Sequence, residues 1–156
     1  MSISPYQYRM LTQSVAIIRP NFHCFCISWL NHVNRYQMNS EVFSHEQVIL
    51  NNEHQLFNFL QQCVNLTVDS QKLIQFLRPL GEQLKTFHMT ERDISVLCNS
   101  LLVTLQLHLS RQFTLAMRNA WRRLLHLVAN VLNHEMFGRH NIVSLSEYKA
   151  RKSQAC

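Results

Sequence analysis

Nine histidines and five cysteines supply imidazole and thiol in quantities that could ligate a metal or serve as nucleophile and base. Their spacing decides against both. His23, Cys24 and Cys26 form the tightest group, but helix residues two apart project in different directions, and no second Cys/His pair lies nearby to complete a four-ligand set. Cys24 and Cys26 therefore read as core thiols, the usual setting of free cysteine. The remaining histidines, His54 and His88 among them, are dispersed, and no Ser/His/Asp or paired-carboxylate arrangement can be assembled from motif spacing. A non-enzymatic protein without a metal site is expected.

The charge balance raises a different possibility. A formal net charge of +6 invites phosphate binding through counterion release. The cations cluster weakly, however. Arg118, Arg122 and Arg123 follow one another along a single helix, and Lys149, Arg151 and Lys152 sit near the C-terminal end, with no interleaved aromatics and no recognition motif. Solvated faces are favoured, and a basic nucleic-acid-binding helical protein stands only as a second alternative. Scattered, odd-numbered cysteines and the lack of a secretory leader point to reduced thiols and a cytoplasmic protein. The longest apolar runs, such as CNSLLVTLQLHL at 98–109, are interrupted by polar groups and fall short of the roughly 20 residues of a membrane span. No membrane association is expected.

The elements that position these groups are helical. Two glycines and three prolines in 156 residues leave too little turn punctuation for a β architecture, and the length suits one core. Apolar spacing predicts a first helix over 5–18 and a second opened by Pro20, running to about Tyr36 with Phe22, Phe25, Cys26, Trp29, Leu30 and Val33 inward. A turn or one-turn helix centred on Phe43 should occupy 37–48. A third long helix is expected from Ile49 to about Leu66, with Leu56, Phe59, Leu60, Cys63 and Val64 inward. Asp69 or Ser70 should cap the next, which Pro79 is expected to break and restart. Thr90 with Asp93 resembles a capping box opening a helix to about Leu109, and Thr114 should cap a last long helix ending before Gly138. One domain over 5–138 and a polar, basic tail over 139–156 follow.

The residues at the helix joints are more specific. SVAIIRP (14–20), LRPLGEQLKTFHM (77–89) and LLVTLQLHLSRQFTLAMRNAWRRLLHLVANVL (101–132), with its FT–x–x–(M/V)R–x–AW junction, together resemble a bacterial single-domain globin. The resemblance spans about 8–134 and implies a globin-like fold of six to seven helices. Laid without gaps back to Leu77, that register puts Gly81, Phe87 and Met89 at the positions surrounding a globin's iron-binding histidine. Leu84 occupies the histidine position itself. Phe43 matches the phenylalanine that stacks on haem, Asn52 the distal polar residue, Leu56 the apolar residue one turn on, and Trp29 a pocket residue more often Tyr or Phe.

An isobutyl group offers iron no lone pair, so the resemblance implies a non-haem globin and no cofactor. The implied ligand pocket comprises Trp29, Phe43, Asn52, Leu56, Leu84, Phe87, Met89, Leu97, Trp121 and Leu125. Lys85 and His88 would lie at its mouth, where, with Asn52, they could meet the carboxylate of an acyl chain. Whether these residues enclose a cavity or collapse into packed core stays open. Haemless globin-like domains of bacterial stress-signalling proteins suggest a sensory or interaction module with a protein partner, and a homodimer through the last two long helices. The alternative is a haem protein carrying or sensing oxygen or nitric oxide, with His88, one turn beyond Leu84, as a non-standard iron ligand.

Overall fold

The first helix begins on a reciprocal cap: the Ser4 hydroxyl accepts the Gln7 amide, and the Gln7 side chain accepts the Ser4 amide, both at 3.1 Å. The computed structural model describes residues 3–35, 52–86 and 88–138. Within them α1 spans Pro5–Ile18 and α2 spans Phe22–Arg35. Pro20 does not open α2 as expected. It lies in a 3-10 turn, Arg19–Asn21, whose tight first turn suits a fixed φ and needs no proline N–H.

Helix α3 runs Glu53–Asn65 with Asn52 as its N-cap, and a 3-10 turn follows at Leu66–Val68. The expected turn around Phe43, the start at Ile49, Phe87 and the 139–156 tail lie outside the described residues. Asp69, rather than Ser70, caps α4 (Ser70–Thr86): its carboxylate accepts the amides of Gln71 and Lys72 at 3.1 and 3.4 Å.

Pro79 does not break that helix; α4 is continuous with the proline inside it. An interior proline leaves the carbonyl four residues back without its helical donor. Both Pro79 and Gln75, which carries that carbonyl, are exposed, so water can satisfy it, while the buried face of Leu73, Leu77 and Gly81 holds the helix in register.

Two further start signals act as the sequence predicts. Thr90 accepts the Asp93 amide at 3.2 Å and Asp93 accepts the Thr90 amide at 3.0 Å, opening α5 (Glu91–Leu109). Thr114 accepts the Met117 amide at 3.2 Å to open α6 (Leu115–Phe137), which stops at Gly138 with φ of 79°. Among the described residues no helix is long and apolar enough to cross a membrane.

Helix α6 is the axis of the assembly, packed by α4, α1 and α5, while α2 lies on α5 and α3 joins α1 and α2. The predicted inward face of α2 is buried throughout. Phe57, absent from the predicted face of α3, is also buried. It meets the Phe22 ring edge-on at 5.0 Å, with the Arg19 guanidinium 5.7 Å from its centroid.

Candidate functional site: an apolar cavity among five helices

Helices α3 to α6 each contribute residues three or four apart, the spacing that keeps side chains on one face. Leu56, Phe59, Leu60 and Cys63 of α3, Leu80 and Leu84 of α4, Ile94, Leu97, Cys98 and Leu101 of α5, and Trp121, Leu124, Leu125, Val128 and Leu132 of α6 enclose a cavity of about 430 Å³. Trp29 of α2 closes one wall, and Asn52 and Gln55 at the start of α3 supply its polar edge. The residues have not collapsed into solid core. The volume falls in the range of pockets that hold small molecules.

Two indoles set the shape of this space. Trp29 donates its N–H to the Leu97 carbonyl at 3.3 Å, which fixes the ring across the α2–α5 contact. Trp121 donates to the Ser14 hydroxyl at 2.7 Å, and Ser14 donates in turn to the Leu11 carbonyl at 2.7 Å. Both indoles spend their single polar hydrogen on the protein and turn carbon toward the cavity.

Of the residues assigned to the pocket from sequence, Trp29, Asn52, Leu56, Leu84, Leu97, Trp121 and Leu125 line it. Met89 is buried in the core but away from this wall, and Phe43 and Phe87 lie outside the described residues. Lys85 and His88 are not among the described residues that line the cavity. Lys85 is exposed, displaced around the helix from Leu84 by its one-residue offset. The placement of His88 one turn beyond Leu84 assumed a continuing helix, but α4 ends at Thr86, and His88 sits exposed in a turn with φ of 57°. Leu80 and Cys98 were missed although Leu84 and Ile94, each four residues away, marked their faces.

The globin family model matches residues 32–132, more than half of the chain. The chain belongs to the globin family. A comparison with curated proteins returns no significant match. The all-α, globin-like fold thus encloses its cavity between its helices. Iron in such a pocket needs an axial nitrogen or thiolate, and the described wall of this globin contains no histidine. Its sulfur donors are Cys63 and Cys98, whose thiols burial pushes up to about 12 and about 11, disfavouring the thiolate that would bind metal. The described residues do not fit an axially ligated haem.

The remaining polar groups are spread over the molecule. His23 contacts Glu53 between the starts of α2 and α3, and His32 donates to the Ser28 carbonyl at 2.7 Å. Among the described residues no cluster of three or more His, Cys, Asp or Glu could hold a metal ion. Cys26 is buried but Cys24 is exposed, so only one of the two is a core thiol, as their offset on the helix requires. The basic residues Arg122, Arg123 and His126 border a separate, more polar groove of about 490 Å³ between α5 and α6, which shares Cys98 and Leu125 with the apolar cavity.

Thiol chemistry follows from this placement. At pH 8 Cys24 should react rapidly with an aromatic disulfide reagent, while Cys26, Cys63 and Cys98 lag until the protein unfolds; peptide mapping of the labelled chain checks this. Burial, with a smaller contribution from the Glu53 carboxylate, raises Cys26 to about 12 as well. Unfolded thiols ionise near their ordinary value and these three do not, so stability should fall as pH rises from about 9 toward 12. An alkaline melting profile flat over that window would contradict the burial of these thiols.

Proposed function

We propose that this globin is a non-haem sensory or interaction module that binds an apolar ligand in the cavity and performs no catalysis. The observation that carries the reading is an apolar wall in which Leu84, at the position that the resemblance gives to an iron ligand, stands with Leu80, Leu97 and Trp121. Signalling requires that a bound ligand stabilise one arrangement of the helices over another. The polypeptide supports this because α3, α4, α5 and α6 all contribute to the wall, so filling it bears on several helix contacts at once.

The test uses two spectra. Protein purified from haem-replete cells should show no Soret band after gel filtration, and a strong band abolished by His88→Ala would establish the alternative haem protein instead. The chain's two tryptophans both line the cavity, so Nile red, a neutral apolar dye, should quench their emission saturably. Absence of saturable quenching would count against a ligand-binding cavity.

A further inference from the structure

A cavity selects by charge as well as by size. The described wall holds no Lys, Arg or His, and its polar edge consists of two neutral amides, Asn52 and Gln55. The charged group nearest in sequence is Glu53, a carboxylate engaged with His23, and it already answers the positive end of the α3 dipole. The thiols of Cys63 and Cys98 stay neutral in their buried positions.

We infer that the cavity takes a neutral, long-chain amphiphile ending in a hydroxyl group and discriminates against the corresponding carboxylate anion. The inference rests on the ligand-binding reading above and narrows its substrate class. A carboxylate drawn into an apolar site without a cation loses hydration that nothing replaces. A hydroxyl asks less: the side-chain amide of Gln55 offers both donor and acceptor, and the alkyl chain lies against Leu56, Leu84, Leu97 and Trp121.

Dodecan-1-ol and dodecanoate, matched in chain length, separate the two cases when titrated below their aggregation limits with tryptophan quenching as readout. At pH 8 the alcohol should bind at least tenfold more tightly. Dodecanoate entering as its neutral acid would have a raised pKa when bound, so its apparent affinity should rise as pH falls from 8 to 6, by up to tenfold per unit, while the alcohol's stays flat. Gln55→Lys, at an exposed position, should strengthen dodecanoate binding and weaken that of the alcohol, which loses the amide acceptor, so that the preference narrows or reverses, with an unaltered melting curve showing that the fold is intact. Dodecanoate binding as tightly as the alcohol at pH 8, with no pH dependence, overturns the inference while leaving the ligand-binding reading standing. Failure of both to bind overturns that reading and the inference with it.

Discussion

Trp121→Ala should lower unfolding free energy by about 3–5 kcal/mol, the range for deleting a buried aromatic side chain. Trp121 is 1% exposed and touches two structures at once: its indole N–H ties α6 to Ser14 of α1, and its ring forms part of the cavity wall. Removing it would enlarge a void that already exists, so neighbours have little chance to close the gap, and the loss belongs toward the upper end. Urea denaturation with an unchanged slope measures it. Ser14→Ala isolates the polar share, because it leaves a buried indole N–H without an acceptor at a cost of about 1–3 kcal/mol. Combined with Trp121→Phe, which has no N–H to strand, Ser14→Ala should cost clearly less than it does alone. Equal costs in the two backgrounds would remove the hydrogen bond from the account.

Gly81→Leu should be the second severe change. A Cβ at Gly81 would stand 2.6 Å from the Cβ of Glu135 and 3.8 Å from Leu132 Cδ2, so α4 and α6 approach each other backbone to backbone there. Glu135 Cβ cannot swing aside, since it is fixed to the helix. Leucine should therefore force the helices apart, with a loss at the upper end of the roughly 1–3 kcal/mol typical of overpacking. It would also disturb the Arg78–Glu135 ion pair, 3.3 Å apart, which contributes little because Arg78 is largely exposed. Gly81→Ala sets helix propensity, a gain of roughly 1 kcal/mol, against the same clash. Alanine should still destabilise in the native background, and Glu135→Gly, which removes the opposing Cβ, should reverse much of that loss. An alanine variant more stable than the parent would show that the helices separate freely.

The two predictions depend on contacts of different legibility. The junction containing Trp121 was readable because an aromatic among apolar residues at helical spacing points inward wherever the helix packs. Gly81 was readable only as a position in a resemblance; that it faces Glu135, 54 residues on, depends on how two helices cross. The caps at Thr90 and Thr114 were legible because a cap is made by neighbours in sequence. Pro79 misled for a related reason: its local preference is to end a helix, and burial of Leu73, Leu77 and Gly81 along the same face outweighs the one hydrogen bond lost at the exposed side.

Within the cavity the same division holds. The register of the resemblance places Leu84 at the wall and implies Lys85 and His88 at its mouth, whereas the alternative role of His88 as an iron ligand depends on a helix that continues past Thr86. Helix α4 ends at Thr86 and His88 lies exposed in the turn beyond it, while the described polar edge of the cavity consists of the side-chain amides of Asn52 and Gln55.

The sequence by itself determined the helices, most of their inward faces and the substitution of an isobutyl group where an iron ligand would stand, because periodicity, caps and residue chemistry are local properties. Only the tertiary structure decided that the inward faces of five helices meet around a cavity rather than closing on one another. That outcome follows from where helices cross and how nearly their side chains fill the gap, and no single segment contains that information.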